Sequence, residues 1–496
     1  MIIACLLGAA LLAHELLYLA RDGGEYLRRC FVPTLGLRLR SRTHAVLHLA
    51  FMAACVWMTV QPSSPLAHLA VFSLLLLVIA SYSLRVSNHL VLALFMLAVI
   101  LLADCAALFG VPRAESQAVQ AVGVQWLVIL TYLLAFTHKL NRGFLSLDGY
   151  AGALAAFVCW DRDVRDPRLV DRIKSCSIVS TLVCELAVPV LLIAPQTRGV
   201  GMLVGIAFHF GLALVGIVNF SAVMYAGLAA FLPWAAHSDW PALPLDATAA
   251  VAGVAAVALV WLVTPHRANW NLPYRHRGPA WVIQTVFGLL TAWFLLAVAQ
   301  TFADPGAADH QVPAGLWSPL ALVLGLFAVN GLMPYLGVKT EFSMAMFSNL
   351  HCAKWNHLVF PARWRLWDGA RYLTVERIKG LPSSDELDGD QAAELAWTVL
   401  SQPGAFEIRP YFFFEALHRV CVAVRRPVTV VASVRFDGRE FIVWANPKST
   451  PESMRPAGFP RWRRLNLFPS VLPASVDAPH SEQGSVLSAD RDRQLF

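Results

Sequence analysis

The stretch LTYLLAFTHKLNRGFLSLDGY (Leu130–Tyr150) decides what kind of protein this is. An apolar run ends in His138 and Lys139, and the chain then turns polar and glycine-marked. Either the pair is a positive stop at a membrane boundary, or Lys139 is a base held at the edge of the lipid. Working outward, the run reaches back to Gln117 with no charged residue before His138, long enough for the ~20 mostly apolar residues a helix needs to cross a bilayer. The whole chain agrees: 57% of its 496 residues are hydrophobic and 14% are charged, where a soluble domain carries about 25% charged residues. Mean hydropathy is +0.57. The net charge of +7 is therefore a topology signal to be taken loop by loop. The sequence carries no nucleic-acid motif, so no nucleic acid partner is expected, and no nucleotide site either. Nine cysteines are scattered without a CxxC pair, several (Cys55, Cys105, Cys176, Cys184) inside apolar runs, which implies neither a disulfide frame nor a zinc site. Met1 to Ala20 contains His14 and Glu15 and lacks a basic leading region, so it reads as a spanning helix rather than a signal peptide.

Candidate spans lie at 1–20, 44–61, 66–84, 88–110, 117–138, 174–195, 199–217, 220–237, 247–265, 279–302 and 315–336, about eleven in all. Near Asn219 two of them meet almost without a loop. The first connection holds Arg21, Arg28, Arg29, Arg38, Arg40 and Arg42, the second (Pro62 to Pro65) no base, and the alternation continues along the chain. With eleven crossings the basic loops share one side, which predicts a multi-pass protein of the cell membrane with an outside N-terminus and a cytoplasmic C-terminal region. Between the fifth and sixth spans, Tyr150 to Trp160 is too short to cross and reads as an interfacial or re-entrant helix, followed by a solvated mixed-charge run.

From Gly337 charges become frequent and no span follows. DELDGDQAAELAWTVLSQ (385–402) reads as a soluble helix opened by acidic residues. VTVVASVRFDGREFIVWA (428–445) reads as a hairpin turning at Asp437-Gly438. The aromatic-rich RPYFFFEALHRV (409–420) does not tell strand from helix and is expected to dock the tail on the membrane core. The fold class expected is an all-α polytopic membrane protein over 1–336, a small soluble α+β tail over 337–470 and a disordered terminus over 471–496.

Ionisable residues at membrane depth are costly and default to a functional hypothesis. Glu15, Asp104, Lys139, Glu185 and His209 qualify, with Gln125 as a neutral polar companion. Each has a plainer structural role. Glu15 can pair with His14 or a basic loop residue, Asp104 and Gln125 can bond between helices, and Lys139 can snorkel to a polar loop one turn away. Glu185, in CELAVPVLL (Cys184–Leu192), precedes Pro189, which frees a backbone carbonyl and bends a helix, and so sits where a carboxyl can line a cavity. His209, mid-span between Phe208 and Phe210, is either satisfied within the bundle or facing a ligand.

QWLVILTYLLAFTHKLNRGFL (Gln125–Leu145) resembles the lysine motif of the vitamin K-dependent gamma-carboxylase family and its bacterial relatives, the horizontally transferred transmembrane (HTTM) proteins. The matching positions are Gln125, Tyr132, Ala135, Lys139, Leu140, Asn141 and Phe144. Three further blocks follow in the family's order: CELAVPVLL, FHFGLALVGIVNFSAVMYAGLAAFLP (208–233) and EFSMAMFSNLHCAKWNHLVFP (341–361), so the likeness covers 115–361. The resemblance implies that Lys139 is a general base, neutral so that it can accept a proton from a reduced quinone of the vitamin K type. His209 would assist, and Gln125, His138, Asn141, Glu185, Asn219, Asn349, His351 and His357 would line or support the pocket. In that family the oxygenated quinone yields a strong base that deprotonates glutamate on a peptide or protein substrate, and the carbanion captures carbon dioxide. The sequence departs from the pattern in three ways. His138 precedes the lysine, Phe144 stands where many relatives have Trp, and the large β-rich substrate domain of the animal enzymes is replaced by the short tail.

Ser348, Asn349, His351, Asn356 and His357 cluster after the last span. Such residues build caps and turns, or line a pocket at the membrane edge. Their spacing matches no zinc frame, so no metal is expected. Two other classes of function stay open: a non-catalytic subunit binding membrane lipid or a protein partner, and a transporter, against which the lack of an internal repeat counts.

Overall fold

The computed structural model describes residues 1–22, 26–27, 39–81, 88–235, 277–303, 310–337, 355–364, 372–387, 391–404, 406–424, 426–459 and 471–473, with scattered residues between these stretches. Eight segments of the described chain are long and apolar enough to cross a membrane, so the chain is a helical membrane protein. Seven coincide with spans read from the sequence. They are α1 (Ile2–Asp22), α2 (Ser41–Val60), α4 (Asn88–Leu108), α5 (Arg113–Lys139), α8 (Pro167–Ile193), α9 (Pro195–Leu214) and α12 (Trp317–Leu332, with its short 3-10 lead-in). α3 (Pro65–Ser81) is apolar but has only 17 residues. α11 (Arg277–Ala303) has a shorter apolar stretch among its described residues. The span expected at 247–265 falls largely outside the described residues.

One expectation is corrected, and a second agrees with the helix found. The span expected at 220–237 is α10 (Val218–Leu228), 11 residues and about 17 Å long. Only three 3-10 residues extend it before Leu232 and Pro233, where the proline restricts its neighbour and ends the helix. The eighth apolar segment, Arg142–Asp161, is two helices, α6 (Arg142–Leu145) and α7 (Tyr150–Asp161). The longer has 12 residues, about 18 Å, against a hydrocarbon core of about 30 Å. α7 is therefore too short to cross by itself, and it is folded back beside α8. Gly152 permits this close return, because a Cβ there would stand 1.9 Å from the Leu147 carbonyl oxygen.

α5 is the axis of the bundle and the most enclosed of the eight segments. It packs against α4, α8, α10 and α12. α8 starts cleanly because Asp166 caps it and Pro167 occupies its first turn. Its outward face presents Val179, Val183, Leu186 and Val190, all exposed large hydrophobics at helical spacing, as a lipid-facing stripe should. Buried polar pairs tie the other helices. Glu15 accepts from Tyr26 Oη (3.1 Å) and pairs with His48 (2.7 Å), rather than with His14 or a loop base. His14 bonds His89 instead (2.8 Å), and Asp104 pairs with His68 (2.7 Å).

The tail has its own core. Its sheet runs β4–β3–β1–β2–β5, all antiparallel, from β1 (Leu373–Lys379), β2 (Phe406–Ile408), β3 (Val430–Phe436), β4 (Arg439–Ala445) and β5 (Val471–Pro473). Asp437 and Gly438 turn the β3–β4 hairpin with φ of 48° and 75°, the left-handed pair such a turn requires. The acidic segment is not all helix. Ser383 and Glu386 form a capping box on a 3-10 turn, and the helix proper is α13 (Gln391–Leu400). The aromatic segment is α14 (Pro410–Ala423). Phe412, Phe413 and Phe414 are 2%, 0% and 0% exposed inside the tail core, which corrects the expectation that they dock on the membrane helices. The terminus expected to be disordered over 471–496 is corrected at its start, where Val471–Pro473 pair with β2 as β5; the rest lies outside the described residues.

Candidate functional site

Two helical stripes face one another across a cavity of about 100 Å³. From α5 come Thr131, Ala135 and Lys139, and from α8 come Ser177, Thr181 and Glu185. Each set is spaced four residues apart, so each lies on one helix face. α7 closes one side with Tyr150, Ala151 and Leu154, and Phe208, Leu212 and Phe220 close another. The hydroxyls of the stripes are satisfied internally: Thr131 donates to Leu127 O (2.7 Å), Thr181 to Ser177 O (2.8 Å) and Ser177 to Ala151 O (3.1 Å). The remaining wall is apolar apart from Asn88, and Lys139 and Glu185 are the only charged-type residues among the described lining.

Lys139 Nζ donates to Glu185 Oε1 at 2.7 Å, with both side chains 7% exposed. The lysine also lies 5.7 Å from the Phe144 ring centroid. Glu185 Oε2 is buried and has no hydrogen-bond partner. A buried, unpaired carboxyl oxygen on a cavity wall is an acceptor available to a ligand's O–H or N–H.

The base of α5 is fixed by residues distant in sequence. His138 Nε2–H donates to Ser343 O (2.9 Å), and its Nδ1 is hydrogen-bonded to Tyr335 Oη (2.8 Å), so both ring nitrogens are engaged. Asn141 is completely buried. Its Oδ1 accepts from Phe144 N (2.9 Å), and its Nδ2 donates to His138 O (2.8 Å) and Ser348 O (2.6 Å). Asn356 Nδ2 donates to Asn141 Oδ1 (3.2 Å), and Arg142 N donates to Asn356 O (3.1 Å). His357 Nε2–H donates to Thr137 O (2.9 Å), while its Nδ1 accepts from Val359 N and Phe360 N (3.1 and 3.0 Å). His138, Asn141 and His357 thus do not line the cavity; they clamp the turn that carries Lys139.

The other expected site residues sit as follows. His209 is buried beside the cavity, bonded through Nε2 to Tyr132 Oη (2.8 Å), with Nδ1 unpartnered. It is separated from the cavity by Phe208 and Phe220, whose rings lie 5.3 and 5.5 Å from its own. Gln125 donates to Ala230 O (2.8 Å) and joins α5 to the end of α10. Asn219 lies on the first turn of α10 with its side-chain oxygen buried and unpartnered. Asn349 and His351 lie outside the described residues. The Ser177–Thr181–Glu185 stripe was missed by sequence reasoning, although its four-residue spacing on one helix is a legible signal. Among the described residues no group of His, Cys, Asp and Glu has the geometry to hold a metal. No family model, curated protein or solved structure matches the chain.

Proposed function

We propose that the protein is a quinone-dependent membrane enzyme of the gamma-carboxylase-like, HTTM type, with Lys139 as the base and a lipid-soluble hydroquinone in the cavity. The observation that carries this reading is the Lys139–Glu185 pair in the wall of an apolar cavity. Burying an ion pair costs several kcal/mol per ion, and well-packed apolar residues would hold α5 to α8 at least as well. The lining of phenylalanine, leucine and alanine suits an aromatic ring. The bound hydroquinone would supply an acidic hydroxyl and, on oxygenation, the strong base of the resemblance. Glu185 Oε2 would accept the hydroxyl proton's hydrogen bond and orient it toward Nζ. The clamp of His138, Asn141 and His357 would hold the lysine in register. The arginines of the first connection, Arg21 to Arg42, support placing Lys139 at the cytoplasmic end of α5.

The test uses the full chain in nanodiscs with reduced vitamin K in air, reading hydroquinone consumption. Lys139→Arg keeps the charge but cannot yield a free base. Consumption should fall at least ~100-fold in Lys139→Arg at unchanged insertion and thermal stability, the scale of a lost general base. Equal rates in the two proteins would sink the reading. The saturation of His138, Asn141 and His357 favours a second one, a non-catalytic lipid-binding subunit, in which Lys139→Arg changes nothing.

A further inference from the structure

The sheet of the tail packs its core on one face. Val430, Ala432, Val434 and Phe436 of β3 and Val443 and Ala445 of β4 belong to that core, with residues of α13 and α14. The other face therefore carries the alternate residues. Register sets them in rows: Lys379, Val431 and Trp444 in one, Arg377, Ser433 and Ile442 in the next, Arg435 and Glu440 in a third. Trp444 is 62% exposed and Ile442 48%. Strict alternation from Leu373 and Val375 would turn Arg377 and Lys379 toward the core. The irregularity between Val375 and Arg377 shifts the register, so Ile378 packs on the core and both bases face outward, exposed. The acids of this face are already engaged, Glu376 with Arg435 (3.3 Å) and Glu440 with the Ser433 hydroxyl. An indole and an isoleucine thus run along the β4 edge, with two cations two strands away, at roughly 10 Å.

The chain holds this face near the bilayer. Leu358 N donates to Leu140 O (2.9 Å) and His357 Nε2–H to Thr137 O (2.9 Å), which pins the connection to the end of α5. Leu358, Val359 and Trp364 are exposed large hydrophobics beside that end, and aromatic residues gather at membrane surfaces. β1 begins at Leu373, so the connection from Leu358 reaches at most about 50 Å. An indole, an isoleucine and two bases would bind a bilayer weakly as part of a free domain. Tethering turns that binding into an intramolecular step at high effective concentration.

We propose that the outer face of the tail sheet is a docking surface for anionic phospholipid headgroups of the protein's own membrane. Trp444 and Ile442 enter the interface, and Arg377 and Lys379 lie against lipid phosphates. The amphipathic indole suits headgroup depth, and each base near an anionic surface is worth roughly fivefold in binding. Charge selects lipid as the occupant. The connection between α1 and α2 is itself rich in arginine, from Arg21 to Arg42, and would repel the two bases. Docking is independent of the reading of Lys139, and no catalysis enters its test.

The experiment is hydroxyl-radical footprinting with mass spectrometry on the full chain in nanodiscs, of phosphatidylcholine alone or with about one third phosphatidylglycerol. Oxidation of Trp444 is read relative to Trp397, whose indole N–H donates to Pro382 O (2.6 Å) within the tail. Trp444 oxidation should be at least about threefold lower in the anionic discs. It should return to the phosphatidylcholine level in the double variant Arg377→Glu/Lys379→Glu, and in the unsubstituted protein at about 1 M salt, where the Debye length is about 3 Å. Equal oxidation in the two discs overturns the proposal: high in both means that nothing docks, and low in both means that protein, not anionic lipid, covers the row. Protection that survives the double substitution overturns it as well. If that variant does not fold, protection of the unsubstituted protein that survives the salt does so in its place.

Discussion

Asn141 illustrates how a residue matched by motif takes its meaning from what it touches. Its side chain uses both amide hydrogens and its oxygen to tie three backbone segments and Asn356 together, all buried. Asn141→Leu would remove the hydrogen bonds to the His138 and Ser348 carbonyls and leave the Phe144 amide without its acceptor, at about 1–3 kcal/mol for a buried group left unsatisfied. Thermal unfolding in detergent should report a loss on the order of 3 kcal/mol or more, whereas Lys139→Arg should leave the transition nearly in place. His357 supplies a pH test. Burial holds its imidazole below the ordinary histidine range, partly offset by the bond it gives to Thr137 O. A lowered histidine stabilises the fold in full above its ordinary value, and the contribution is lost as pH falls through the lowered folded value. Protonated Nδ1 can no longer accept from Val359 N and Phe360 N. Hydrogen exchange at those two amides, corrected for intrinsic rates, should accelerate as pH falls below the ordinary histidine range; constant protection would mean that the ring does not anchor this turn. The sequence marked His138, Asn141 and His357 as important but could not say for what. Their partners lie some two hundred residues away, and no local pattern records such pairing.

At the scale of elements, periodicity carried most of what was legible. The spans at α1, α2, α4, α5, α8, α9 and α12 are long apolar runs bounded by caps and prolines, and the hairpin follows from Asp437-Gly438 between alternating strands. Misreadings came where an apolar run was shorter than it looked, as at α10, or where aromatic density had no period, as at α14. The stripe Ser177–Thr181–Glu185 was readable as a polar face on an otherwise lipid-facing helix, and it would have located the cavity in advance. α7 yields an element-scale prediction. Gly152 is packed so closely on Leu147 that any side chain must displace the helix. Gly152→Ala should lower folded yield and widen the cavity on the α7 side. An environment-sensitive probe on a cysteine replacing Leu154, which lines the cavity, should then report greater polarity. An unchanged emission would mean that α7 tolerates the shift without opening.

For the molecule as a whole, the division into a helical membrane core and a tail with a separate core was foreshadowed by the change of composition at Gly337. Sidedness was legible only through loop arginines. Reporter fusions at Ala303 and Gly337 flank α12 and should report opposite faces; matching reports would remove α12 as a crossing. The clamp at the end of α5 also has a consequence in time. Asn141 emerges from the ribosome 207 residues before Ser348, its partner. At about 5–20 residues per second the two are separated by roughly 10–40 s of synthesis. For that interval α5 can already be in the bilayer while its terminal turn has nothing to hold it, so the lysine gains its fixed position only after the final crossing is made. Completion of the chain thus acts as a timer on this turn: a nascent or truncated protein ending before Ser343 would carry α5 with the turn at Lys139 still unclamped.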